Sequence, residues 1–197
     1  KTTSPHVSGN VGPESGAEPA KRPESTYIST HDVFRICRRY SKLVPVNAQL
    51  QQLKSLVLDA RGAVLDNAVA ETEGSEYGAH HLTIDGLSVH FRVARTTPKK
   101  VGQFVTFWKR ATGDQIEPFD VRDDFDRLIV VTWTPKSYGY FEFPKHALSE
   151  HGVLTVGTTE GKRGFRVYPE WDEPNNRSGV AAQTWQLNYF SDLSDQI

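Results

Sequence analysis

"DRLIVVTWTPKSYGYFEFPKHALSEHG", Asp126–Gly152, is the stretch that decides the fold class. "LIVVTW" and "YFEF" are rich in β-branched and aromatic residues, and "TPKSYG" between them carries the Pro, Ser and Gly of a turn. The reading is a strand, a turn and a second strand. "PKHALSEHG" then reads as a short helix stopped by Gly152.

Upstream lie further strand-like runs, "HHLTI", "LSVHFRVA" and "FVTFWK", and downstream "VLTVG" and "FRVYP". "IDGL", Ile84–Leu87, is a turn signal that makes a hairpin of the first two. Bulky residues of both parities in "FVTFW" indicate a strand buried on both faces. Helical patterns flank the strands. Thr30 caps one, with Val33, Ile36, Cys37 and Tyr40 on a single face. A second is expected over Asn47–Asp66, with Leu50, Leu53, Val57 and Val64 at helical spacing and Gly62 as a weak point. A closing helix is expected in "VAAQTWQLNYFSDL", with Val180, Thr184, Leu187 and Phe190 along one stripe. The fold class is therefore α+β: a central mixed or antiparallel sheet flanked by N-terminal helices and a C-terminal helix. Residues 1–26, dominated by Ser, Thr, Pro, Gly, Glu and Lys, cannot offset their ordering entropy and read as a disordered tail. Residues 27–197 read as one domain.

Net charge is −1, so any electrostatic function must come from local segregation. Such segregation exists. Residues 95–110 hold Arg95, Lys99, Lys100, Lys109 and Arg110 with no acid, whereas residues 111–127 hold six acids against Arg122 and Arg127. Either the basic block faces a polyanion, or the two blocks pair with each other. "GKRGFRVYP" adds Lys162, Arg163 and Arg166 between glycines that let the backbone approach a large anion. Aromatic residues are interleaved with these cations and suit either base stacking or core packing.

The single cysteine, Cys37, rules out an internal disulfide framework and fits a reducing compartment, so a cytoplasmic protein without membrane association is expected. Seven histidines, including His80 and His81, show no zinc spacing. No Walker loop, Gly-x-Ser-x-Gly elbow or dinucleotide glycine pattern is present.

The segments "SEYGA", "FRVARTTPKKVGQFVTFWKR", "GYFEFPK", "GKRGFRVYP" and the closing "WQLNYF" resemble the MepB-like family over about residues 70–190. These are small bacterial proteins named from a gene beside a multidrug efflux system. The resemblance implies a fold similar to restriction-endonuclease-like α/β enzymes, with a concave basic face. Nucleases of that fold place an acid on one strand and an acid-x-Lys on the next, to hold Mg²⁺ and orient water. The acid-x-Lys triplet here, Glu160-Gly161-Lys162, sits in a glycine-rich turn, and Glu142 and Lys145 are one residue too far apart. Glu76 and Asp120 are the remaining candidates for a catalytic carboxylate.

The expectation is a nucleic-acid-binding protein, its partner DNA, with no cofactor. Arg92, Arg95, Lys99, Lys100, Lys109, Arg110, Lys145, Lys162, Arg163 and Arg166 would line a basic groove, and Gln103, Gln183 and Gln186 would make polar contacts. Two alternatives remain. One is a Mg²⁺-dependent nuclease using Glu76, Asp120, Glu142 or Glu160 with Lys145 or Lys162, at least two of the carboxylates converging beside the lysine, and the other is a small-anion or effector-binding regulatory protein.

Overall fold

The structure is a computed structural model that describes residues 47–111 and 113–197. The expected tail over residues 1–26 and the expected helix from Thr30, with Cys37, lie outside the described residues. Asn47 caps α1 (Ala48–Leu53) by accepting from Gln49 N, and the helix runs into a π turn over Lys54–Leu58. It ends well short of Asp66. Gly62, at φ +68°, turns the chain, and β1 (Leu65–Ala70) starts at once, pairing Leu65 with Ile84 and Asp66 with Thr83. The apolar spacing that suggested a longer helix was satisfied instead by strand pairing.

The strands follow in order as β2 (His80–Ile84), β3 (Leu87–Val93), β4 (Arg95–Thr97), β5 (Lys100–Thr106), β6 (Trp108–Arg110), β7 (Ile116–Pro118), β8 (Arg127–Thr134) and β9 (Ser137–Pro144). After them come α2 (Lys145–Glu150), β10 (Gly164–Val167), α3 (Arg177–Gln186) and β11 (Phe190–Asp192). The β2–β3 turn at Asp85-Gly86 has φ of +50° and +82°, the left-handed pair that a two-residue hairpin needs.

The main sheet has the order β1-β2-β3-β8-β9-β11, antiparallel throughout except for the parallel β3–β8 pair, so the expected α+β architecture with a mixed central sheet is what the chain adopts. Strand alternation splits its side chains between two cores. Ile129, Val131, Tyr138 and Tyr140 face the core under α1, with Val89 and Phe91. Leu128, Val130, Phe141 and Phe143 face the other, which a second sheet, β10-β5-β4, covers with Val105, Phe165 and Val167. That second sheet is inserted largely between β3 and β8.

Two expected elements differ. "VLTVG" is not a strand: Val153 and Leu154 fill the core, but the chain turns, and Thr155 makes only an isolated bridge to Asp120. In α3 the stripe of Val180, Thr184 and Leu187 faces solvent, while Gly179 and Gln186 are buried. Gln186 takes the inner position because its amide accepts from Tyr168 N at 2.9 Å and donates to Arg166 O at 2.9 Å, completing β10.

At Gly139 a side-chain methyl would lie 2.6 Å from the Phe190 ring and 2.7 Å from Ser191 O, which brings β11 tightly onto β9. Gly139→Ala is therefore expected to destabilise the fold by about 1–3 kcal/mol through overpacking. A urea titration should show a lower midpoint with an unchanged slope.

Candidate functional site

The β4–β5 hairpin carries "RTTPKKVGQF", and its register slips between Thr96 and Thr97, so that Thr97 lies opposite Lys100 while Thr96 lies opposite Gln103. Gly102 permits this bulge with φ +85°. The Tyr168 ring lies against it so closely that a methyl there would stand 2.5 Å from the ring. Arg166 donates to Gly102 O and to Thr97 Oγ1, both at 2.8 Å, which locks its guanidinium to the hairpin. Next to them the chain enters α3, whose cap Asn176 accepts from Gly179 N at 2.8 Å.

These parts enclose an open cleft of about 850 Å³, into which Lys99, Lys100, Arg166 and Arg177 project, with Tyr168 and Ser178 among the other lining residues. No carboxylate is among the described residues that line it. A smaller cleft of about 270 Å³ shares Arg166 and Tyr168 and adds Lys162, Phe165 and Trp185. Arg177 was not singled out from the sequence. Its signal was the "NNRSG" run, in which Asn176 is a helix cap that puts Arg177 at the first helical position.

The other cations of the expected groove are otherwise engaged. Arg92, at 1% exposure, is buried between the two sheets and cannot reach solvent-borne phosphate. Lys109 pairs with Asp123 and Glu117; burial alone would lower its pKa, but these two carboxylates raise it. Arg110 pairs with Glu73 at 2.7 Å and Asp114 at 3.0 Å, and Arg163 with Glu160 at 2.7 Å. Lys145 donates to Asp123 O and lies over the Phe125 ring at 5.0 Å. The basic block is thus divided: Lys109 and Arg110 meet the neighbouring acidic block, while Lys99 and Lys100 face the cleft. Gln103 and Gln186 are buried, and Gln183 donates to Pro169 O and Asp172 O, so none of the three is placed as a surface contact.

The candidate carboxylates do not form one site. Glu76 pairs with Arg95 at 3.9 Å, and Glu142 on β9 pairs with Arg127 and Arg61. Asp120 and Glu160 line one cleft of about 500 Å³ with Lys109. Both Asp120 oxygens are taken by Arg122, whose guanidinium and backbone N–H hold the carboxyl at about 2. Among the described residues no group of three or more His, Cys, Asp or Glu is arranged to hold a metal, and no helix is long and apolar enough to cross a membrane.

Between the sheets, Glu71 binds two groups of β3 at once, accepting from Arg92 Nη2 at 2.6 Å and from His90 Nδ1 at 2.7 Å. His90 is caged by Phe107, Phe119 and Phe125, with ring centroids 4.6–5.6 Å away. Burial would raise the Glu71 pKa, but the His90 hydrogen bond and the Arg92 charge outweigh it and hold the carboxyl at about 2. Burial dominates at His90 and lowers its pKa, so the imidazole is neutral and donates from Nδ1.

Comparison with known proteins places this geometry in context. A family model described as MepB-like matches residues 71–192. The chain is also similar to a solved structure described as the crystal structure of MepB, at 28% identity and a TM-score of 0.66, over 75% of this chain and 97% of that one. No curated protein matches it.

The Glu71 cluster makes the fold acid-sensitive in two windows. His90, with its pKa below 6.5, contributes stability that is present above pH 6.5 and lost as pH falls beneath it. Glu71 contributes stability that is present above 4.5 and lost as pH falls toward about 2. Glu71→Ala, which strands a buried guanidinium, is expected to cost about 3–5 kcal/mol at neutral pH and to remove the lower window. Denaturation midpoints measured from pH 7.5 down to about 3 would show both effects.

Proposed function

The chain belongs to the MepB-like family, and from the cleft between its β4–β5 hairpin and α3 we propose that it binds nucleic acid through the phosphate backbone. The observation that carries this reading is the lining of the cleft: Lys99, Lys100, Arg166 and Arg177 with no carboxylate among the described lining residues, on a protein whose net charge is −1. A near-neutral chain has no general attraction for polyanions, so four cations on one concavity concentrate the positive potential there. Arg177 and Ser178 open α3, and the positive end of its dipole adds to that field. The cleft is open, as a continuous chain of phosphates requires and an enclosed effector pocket would not be.

The proposed partner is DNA, met in the cytoplasm, where the lone cysteine is at ease in a reducing medium. The proposed role is binding without cleavage, because each candidate carboxylate is paired with an arginine, including Asp120 and Glu160, which share one cleft. No cofactor is invoked.

Fluorescence anisotropy of labelled DNA, single-stranded and duplex, tests the reading. Three or four phosphate contacts predict that affinity falls roughly a hundredfold between 50 and 200 mM salt. The paired change Lys99→Glu and Lys100→Glu is expected to weaken binding by about tenfold or more and to flatten the salt dependence. Added Mg²⁺ should leave the DNA intact. No binding at low salt, or binding indifferent to the charge reversal, would overturn the phosphate reading, and Mg²⁺-dependent cleavage would overturn the non-catalytic one.

A further inference from the structure

The outer face of the β4-β5-β10 sheet carries a row of side chains of which the phosphate reading uses only Arg166. Arg95, Phe104 and Arg166 are directly opposite one another across the three strands. Their neighbours Val105, Phe165 and Val167 point the other way, into the core, so the row faces outward. Phe104 is half-buried and lies over Gly164, where a methyl would stand 2.8 Å from its ring. Tyr77, from the turn after β1, meets Phe104 edge-on at 6.2 Å. The Arg95 guanidinium lies 5.3 Å from the Tyr77 ring centre, and that of Arg166 lies 5.8 Å from the Phe104 ring centre. The result is a series, Arg95, Tyr77, Phe104, Arg166, in which two aromatic rings in edge contact lie between two guanidiniums. Among the described residues, Glu76 is the carboxylate paired with the row, at 3.9 Å from Arg95 and well exposed.

Arg166 ends the row and also lines the cationic cleft. Two of its five N–H groups are held by Gly102 O and Thr97 Oγ1, which leaves others for an incoming anion. The aromatic row and the phosphate cleft are therefore one continuous surface joined at this residue. Adjacent strands lie about 4.8 Å apart, so the row spans roughly 10 Å, room for one or two bases beside the phosphates in the cleft.

We propose that this surface selects single-stranded nucleic acid: the backbone runs through the cleft at Lys99, Lys100 and Arg177, while unpaired bases stack on Phe104 and Tyr77 between Arg95 and Arg166. The proposal rests on the phosphate-binding reading of the same cleft. A duplex keeps its bases stacked on one another and offers the aromatic row nothing, whereas an unpaired base presents a π face to rings and guanidinium planes alike. Binding at the row is tolerant of sequence because every base has such a face.

The test is an anisotropy titration at one salt concentration with three probes of equal length: a single-stranded oligothymidylate, a duplex, and an abasic oligonucleotide that keeps the phosphates and lacks the bases. The oligothymidylate is expected to bind about tenfold or more tightly than the abasic strand. Phe104→Leu keeps apolar bulk over Gly164 and removes the π face, so it should narrow that gap by weakening oligothymidylate binding much more than abasic binding. A thermal melt confirms that the variant is folded. Equal binding of all three probes, or a Phe104→Leu variant that retains full preference for the oligothymidylate, would overturn base stacking and leave the phosphate reading standing. Loss of every probe's binding on charge reversal at Lys99 and Lys100 supports the phosphate reading; absence of binding by all three in the unaltered protein ends both.

Discussion

A guanidinium buried between two sheets must be neutralised where it stands, and Arg92 imposes that requirement on the surrounding chain. Its partner does not come from the neighbouring chain before β2, where the residue next to His80 is the small, buried Ala79. Glu71 supplies the charge from beyond, at the end of β1, where its backbone N–H donates to Ala79 O. The segment from Glu71 to Ala79 must then fold back over the second sheet, with Gly74 close against Thr106 and Arg92. That fold-back sets Tyr77 against Phe104 and Glu76 beside Arg95. A buried pair of this kind is a poor source of net stability compared with apolar packing, but it fixes one arrangement among many. Here an interior charge positions an exterior surface.

The two layers divide the labour accordingly. β8 and β9 are apolar on both faces because each face meets a core, one under α1 and one under the second sheet. The second sheet has a core on one side only, so its other face carries Arg95, Phe104 and Arg166 without disturbing any packing. Within the basic block the division falls at Phe107, which is fully buried. Beyond it Lys109 and Arg110 turn to the acids of the following segment, and before it Lys99 and Lys100 stand at a hairpin tip away from them.

Much of this was legible in the residues. Strand texture and the turns at Asp85-Gly86 and "TPKS" gave both main hairpins, because pairing of consecutive strands needs only local signals. The end of α1 was misread because Val57 and Val64 fit helical spacing by coincidence, and only the long-range partner Ile84 shows that Leu65 belongs to a sheet. The stripe on α3 was misread for a related reason: an amide at Gln186 was worth more inside, completing the backbone of β10, than an apolar residue would have been. As for the candidate cleft, charge segregation drew attention to Lys99 and Lys100, and the glycine-flanked "GKRGFRVYP" run to Arg166. Neither signal could separate them from Arg92 or Lys109, since whether a cation meets solvent or a carboxylate is a property of tertiary contact. Arg177 lies far along the chain from the hairpin and carried no charge run to mark it.

Gln186 has a further consequence. One carboxamide on α3 satisfies the outward N–H of Tyr168 and the outward carbonyl of Arg166, as a neighbouring strand would. An uncovered edge there would be a template on which a second molecule could extend the sheet, and aggregation commonly begins at such edges. The amide occupies the part of that edge between Arg166 and Tyr168 with a single side chain. One side chain from α3 thus does for this part of β10 what a further strand would otherwise have to do.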